Sequence, residues 1–322
     1  MPNKDFMTTR LRQSFVTRHT SITTRRAQFE WLLLLVLTLA VAFARAPAAQ
    51  AQKASALEGK SHYATLDGNR IHYQSYGKGR EALVLIHGWT CNLDYWRDQV
   101  PDFAKRNRVI AIDLPGHGQS DKPQVAYSME LFARAVDAVM RDAQVERAVL
   151  VGHSMGTPIA RQFYRKYPQK TLAIVIVDGP LRLFGDKKMM DGLIAGFRGP
   201  NYREAGKQML AGLAGPTLSA ELKERIQTSF LNTPQHVVVS AMEGMADESI
   251  WGQDRISVPV LAIMAKIPFW PADTEQFDRS IAPRLDFQMW DGVGHFLMME
   301  KPKEFNEAVI AFLDKNSLLK KN

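Results

Sequence analysis

The 322-residue chain contains a single cysteine, Cys91. No intrachain disulfide can form, so stability has to come from a packed core. A lone thiol among apolar loop residues reads as a small packed side chain and not as a nucleophile. The chain has no internal repeat and no low-complexity tract, which excludes solenoid and fibrous architectures. Long apolar runs are also scarce. The one that stands out, WLLLLVLTLAVAFA from Trp31 to Ala44, has fourteen residues and is short for a bilayer span. A basic stripe is lacking as well. Of the formal charge of +8, residues 1–51 supply +5, through seven Lys or Arg against Asp5 and Glu30. The remaining +3 is an ordinary surface balance and gives nucleic acid no electrostatic footprint.

The front segment has the layout of an export signal. A basic, Ser/Thr-rich stretch precedes the apolar block, and the small-residue run APAAQAQ follows it. Ala49-Gln50-Ala51 fits a signal-peptidase site. The expectation is a signal peptide over 1–51 and an exported protein, periplasmic or secreted, with no stable membrane span after cleavage. The alternative is an uncleaved N-terminal anchor.

Beyond residue 52 the apolar pattern changes twice. SHYATL and RIHYQSY alternate around Asp67-Gly68-Asn69, which predicts a β-hairpin. Six continuous apolar runs then follow, beginning at Ala82, Arg108, Arg147, Leu172, Val258 and Leu285. Strands buried on both faces have this appearance, as in a parallel sheet covered by helices. Amphipathic stretches lie between them, including SMELFARAVDAVMRDA, MGTPIARQFYRKYP and KPKEFNEAVIAFLDK. Strands alternating with helices predict an α/β fold with a doubly wound, mostly parallel sheet. Residues 181–256 break the rhythm. They show helix signals only, among them Ser219 as an N-cap and Thr233-Pro234 as an N-cap with proline at the first position. The domain reading is therefore core over 52–180, a helical cap over 181–256 inserted after the sixth strand, and core again over 257–322.

Val149–Pro158 reads VLVGHSMGTP. An apolar strand stops at a serine held between two glycines, and a helix pattern begins at once. Gly-x-Ser-x-Gly in that setting is a nucleophile elbow, a turn tight enough that glycines are needed where strand and helix close on each other. It would lift the Ser154 hydroxyl above the C-terminal edge of the sheet, where ligands bind in open α/β folds. A serine hydroxyl needs a base. Of the eight histidines, His295 lies just after the last strand on a glycine-flanked loop that can reach that edge.

In order along the chain come His87-Gly88-Trp89, the run DLPGHGQS from Asp113 to Ser120, GHSMG from Gly152 to Gly156, and GVGHF from Gly292 to Phe296. From about Lys60 onward the chain resembles the α/β-hydrolase superfamily of capped serine esterases and lipases. The resemblance implies an oxyanion hole from the backbone N–H groups of Trp89 and Met155, which would face the charge of a tetrahedral intermediate. Asp113 and His117 read as loop-shaping residues. The family usually places the catalytic acid shortly after the seventh strand. Here that stretch is AKIPFWPAD, with no carboxylate before Asp273. The family's other position, directly after the sixth strand, supplies Asp178. Asp178 is the first choice and Asp273 the alternative.

The resulting expectation is a serine hydrolase acting on a small acyl substrate, a carboxylic ester or related compound, with Ser154, His295 and Asp178 as its triad. No metal and no cofactor is implied. Hydrolysis of a carbon–carbon bond in a β-diketone uses the same residue types and stands as the alternative. A ligand-binding protein with little turnover is a rival of another class, favoured by the missing acid after the seventh strand. Export should yield a mature chain starting near Gln52, which N-terminal sequencing of the protein from its host will check. A membrane-extracted product beginning at Met1 would mean an anchor.

Overall fold

A computed structural model describes residues 59–319; the signal segment expected over 1–51 lies outside them. Eight strands form one sheet: β1 (Lys60–Leu66), β2 (Asn69–Tyr76), β3 (Glu81–Ile86), β4 (Arg108–Ile112), β5 (Arg147–His153), β6 (Thr171–Val177), β7 (Val260–Ala265) and β8 (Leu285–Trp290). Their spatial order is β1-β2-β4-β3-β5-β6-β7-β8. β1 and β2 pair antiparallel, as do β2 and β4, and all other neighbours are parallel. From β3 the chain crosses to one side to make β4, then returns past β3 to make β5. The connections therefore diverge between β3 and β5, which opens a crevice at the carboxyl ends of those two strands.

The parallel strands read as continuous apolar runs because both faces are covered. Ala82 to Ile86 of β3 and Ala148 to Val151 of β5 have no exposed surface. Helix α1 (Val100–Ala104) precedes β4, and α2 (Met129–Asp142) follows it. Ser128 caps α2 by accepting from the Leu131 N–H at 3.1 Å, and the helix buries Phe132, Ala135, Val136, Val139 and Met140. Helix α3 (Gly156–Lys166) starts directly after the elbow, with Pro158 in its first turn. There the missing proline N–H breaks no intrahelical bond.

Between β6 and β7 there is no strand. The chain forms α4 (Lys187–Arg198), α5 (Tyr202–Leu213), α6 (Ala220–Asn232) and α7 (Gln235–Ala246). Ser219 caps α6 through the Leu222 N–H at 3.2 Å, as its sequence position implies. The other cap expected here differs by one residue. Pro234 occupies the N-cap of α7, and the Thr233 hydroxyl turns back to donate to the Ser229 carbonyl at 3.0 Å. Threonine can satisfy itself on the preceding turn, and that local bond outcompetes the cap. Beyond β7 lie α8 (Thr274–Ile281), α9 (Leu297–Glu300) and α10 (Pro302–Lys315).

The base of the helical insert is held by α3. The buried Arg161 guanidinium donates through Nη1 to the Leu181 carbonyl at 2.7 Å and through Nη2 to that of Gly252. Arg165 donates to the Ile250 carbonyl at 2.6 Å. Both the outgoing and the returning chain are thus fastened to the helix that follows Ser154. Beneath this point Asp278 is 2% exposed, and its Oδ2 has no partner among the described residues. Burial pushes its carboxyl up to about 7, against the pull of Arg182 and Arg161. The folded chain therefore holds a proton that the unfolded chain has released above the ordinary carboxylate range, and stability falls as pH rises from about 4 to 7. Asp278→Asn should stabilise the fold at pH 8 by on the order of 2 kcal/mol, with the gain vanishing near pH 4. Urea unfolding at both pH values checks this, since a pH-independent effect would remove the carboxylate as its source.

Candidate active site

The site is built where β3, β5, β6 and the loop after β8 end together. Ser154 follows β5 with φ of 53°, in the left-handed region that non-glycine residues avoid. Its backbone is fixed on both sides: the Ser154 N–H donates to Val177 at 3.0 Å, and its carbonyl accepts from Thr157 at 2.9 Å. The flanking glycines have a steric reason. A Cβ on Gly152 would lie 2.3 Å from the Gly156 carbonyl oxygen, and one on Gly156 would lie 2.4 Å from that of Ile86. Any side chain there would push α3 off the sheet.

Asp178, the first residue after β6, also has a positive φ, 44°. It is completely buried, and its Oδ2 accepts from His295 Nδ1 at 2.6 Å. A carboxylate only accepts, so Nδ1 carries the proton and the Nε2 lone pair is left free to face a hydroxyl. Oδ1 accepts from the Ala265 N–H at 2.7 Å and from the Trp270 indole N–H at 2.8 Å. The alternative acid, Asp273, is not brought to His295. Its side chain is exposed at the end of the loop after β7 and pairs with Arg182 at 3.0 Å. That guanidinium holds its carboxyl below the usual range.

The backbone of His295 is held from two directions. Its N–H donates to Leu213, the last residue of α5, at 3.0 Å. Its carbonyl accepts from His153 Nε2 at 2.9 Å. His153 is buried, and burial holds its imidazole well below the ordinary histidine range, so it stays a neutral donor. The partners Trp270, His153 and Leu213 were not singled out from the sequence. A tryptophan standing where the family's acid usually follows β7 was the one available signal.

Ser154, His295, Trp89 and Met155 border one cavity of about 40 Å³. Its other walls are mostly apolar and include Phe184, Met209, Leu210, Met242, Met245 and Trp270, with His153 also lining it. Trp251 is not among the lining residues and donates its indole N–H to the Met245 carbonyl instead. Among the described residues, neither the Trp89 nor the Met155 backbone N–H has a protein acceptor, so both remain available beside Ser154. Trp89 itself is clamped by the helical insert, through its indole bond to the Val238 carbonyl at 2.9 Å and ring contacts with Phe197 and Phe230.

The neighbouring motif residues shape loops. Asp113 accepts from His72 Nδ1 at 2.7 Å, from the Leu93 N–H at 2.8 Å and from the Gln119 N–H at 2.9 Å. His117 Nε2 accepts from the Thr90 N–H at 3.2 Å, and burial drops that imidazole to about 3. Cys91 is buried, which pushes its thiol up to about 12, far from a reactive thiolate at neutral pH. No group of three or more His, Cys, Asp or Glu that could hold a metal occurs among the described residues.

A mostly parallel sheet, with a strained serine turn at its topological switch and a helical layer above, is the architecture of the alpha/beta hydrolase fold. The chain belongs to the alpha/beta hydrolase fold family, whose profile matches residues 81–302. The dihydrolipoyllysine-residue acetyltransferase component of an acetoin cleaving system from Cupriavidus necator is 29% identical over 255 residues. That match covers 76% of this chain, which spans only 66% of the relative. A 2-hydroxy-6-oxononadienedioate/2-hydroxy-6-oxononatrienedioate hydrolase from Paraburkholderia phymatum is 29% identical over 265 residues, covering 76% of this chain and 91% of that protein. Among solved structures, Est816, described as an N-acyl homoserine lactone degrading enzyme, is 30% identical with a TM-score of 0.69. The match covers 78% of this chain and 100% of that one.

If Asp178 orients His295, Asp178→Asn should lower kcat by about ten-thousand-fold, because an amide favours the wrong tautomer. Asp273→Asn should cost less than about tenfold, since an exposed ion pair contributes little. Steady-state kinetics on the two variants, with melting temperatures as control, separate the cases; the reverse ranking would assign the acid to Asp273.

Proposed function

We propose that this protein is a serine hydrolase that cleaves a neutral carboxylic ester or lactone through an acyl-enzyme. The observation that carries this reading is the 2.6 Å bond from His295 Nδ1 to the buried Asp178, on the cavity that Ser154 shares. In the proposed cycle the Ser154 Oγ attacks the carbonyl carbon while His295 Nε2 takes its proton. The Trp89 and Met155 N–H groups receive the oxyanion, and His295 returns the proton to the leaving alcohol. Water, deprotonated by the same imidazole, then releases the acid. Asp178 keeps the imidazole in the required tautomer throughout. No metal or cofactor takes part.

The substrate class follows from the walls. Among the described residues no Lys, Arg, Asp or Glu lines the cavity, so a carboxylate brought in with the acyl group would lose its water without gaining a partner there. That argues against a substrate like the dioate for which the Paraburkholderia relative is named, and favours a neutral acyl group as in the lactone named for Est816. Carbon–carbon hydrolysis by the same residues is thereby the weaker reading. A binding protein without turnover is weaker still, since binding alone asks for neither the strained turn nor an oriented imidazole.

Ser154→Ala should reduce p-nitrophenyl acetate turnover by on the order of a million-fold and leave the melting temperature unchanged. A fluorophosphonate probe should label the parent once, at Ser154. Activity in the variant within tenfold of the parent, or failure of the parent to react with the probe, would overturn the assignment.

A further inference from the structure

Asp178 has no exposed surface, so what it accepts determines how it behaves. The two carboxylate oxygens have different company. Oδ2 has His295, while Oδ1 has one backbone N–H, from Ala265, and one side-chain donor, the Trp270 indole at 2.8 Å. Trp270 is half-buried in the loop after β7, and its ring is at the same time a wall of the cavity above Ser154. Phe269 stands edge-on to it, with ring centroids 4.8 Å apart, and lines the same cavity without any polar atom. One rigid side chain therefore touches both the space for the acyl group and the acid.

We infer that Trp270 is a positioning residue for Asp178 and that, through it, the size of the acyl group is read out in kcat. The inference rests on the serine-hydrolase reading above. A single backbone donor on Oδ1 leaves the carboxylate able to rock about its own Cβ–Cγ bond. A second donor, five residues further on in the loop after β7, fixes its plane and so aims Oδ2 at Nδ1. The Trp270 indole is one of the walls of the cavity, so an acyl group long enough to reach it has to press on it. When the wall it displaces is the indole, the bond to Asp178 lengthens, and the chemical step weakens even as apolar contact improves binding.

Two measurements test this. The first is the downfield proton resonance of the His295 Nδ1–H···Asp178 bond, which needs no turnover. In Trp270→Phe, which keeps a ring but loses the donor, the resonance should move upfield, because the unpinned carboxylate holds the Nδ1 proton less tightly. In Phe269→Leu, which loses wall but no donor, it should stay. The second is the dependence of kcat and KM on acyl length. In the parent, kcat should fall by about tenfold from acetyl to hexanoyl esters while KM also falls. In Trp270→Phe, kcat should be lowered about tenfold for acetyl and become insensitive to length. An unchanged resonance in Trp270→Phe, or a parent in which length acts on KM alone, would overturn the inference. If Trp270→Phe does not fold, the parent series decides. The fluorophosphonate reaction separates the two readings. A labelled parent with an unmoved resonance defeats the role of Trp270, while an unlabelled parent with a moved resonance defeats the hydrolase reading only.

Discussion

The close approach of helix α3 to the sheet governs the rest of the molecule. For Ser154 to stand at the sheet edge, the chain has to turn from strand to helix within two residues, with the serine backbone at φ of 53°. Such a conformation costs on the order of a kcal/mol or more and persists only where the surroundings over-determine it. The surroundings here do so. Gly156 lets the helix start against the Ile86 carbonyl, and Gly152 lets the strand end against Gly156. The backbone bonds to Val177 and Thr157 close the turn. Once α3 sits there, its buried Arg161 reaches both ends of the helical insert. The elbow thereby also determines where the layer above the cavity is attached.

A second arrangement follows from the position of Asp178, the carboxylate bonded to His295. With the carboxylate directly after β6, Asp178 is drawn under the loop that follows β7, and that loop no longer has to carry a charge. It carries Trp270 instead, which donates to Asp178 together with the N–H of Ala265 at the end of β7. A fully buried carboxylate left with the imidazole alone would be costly to keep ionised, and these two donors supply what water would have supplied. The exchange also frees Asp273 to pair with Arg182 at the surface, where a charge is cheap to keep and worth little.

The strands and the elbow were legible because they depend on local signals. Continuous apolar runs need two covered faces, and glycines around a serine need a tight turn. Ser219 could be read as a cap because its partner is three residues away. Thr233 was misread as one, since its hydroxyl could either accept from the following turn or donate to the preceding one, and the preceding turn won. Position after the sixth strand ranked Asp178 ahead of Asp273 in the sequence, and the fold places Asp178 against His295 and Asp273 against Arg182. The contacts that hold His295, from Leu213 and His153, join segments far apart in the chain. Neither residue type announces such a role, and only the closing of the helical layer over the sheet brings them together.

That closing also explains why the insert is rich in methionine without being an unstructured lid. Met190 is packed inside the helical layer, whereas Met209, Met242 and Met245 border the cavity, so the same residue type serves as core and as wall. Flexible thioethers tolerate small changes in the shape of what they enclose, but the rings around them do not. Trp89 is fixed by Val238, Phe197 and Phe230, and Trp270 is fixed by Asp178. The cavity is therefore soft along the methionine side and stiff at the two tryptophans, one carrying the unpartnered N–H beside Ser154 and the other bonded to the acid. Under the reading proposed above, an acyl group that fits can be accommodated by the methionines, and one that does not must press on Trp89 and Trp270.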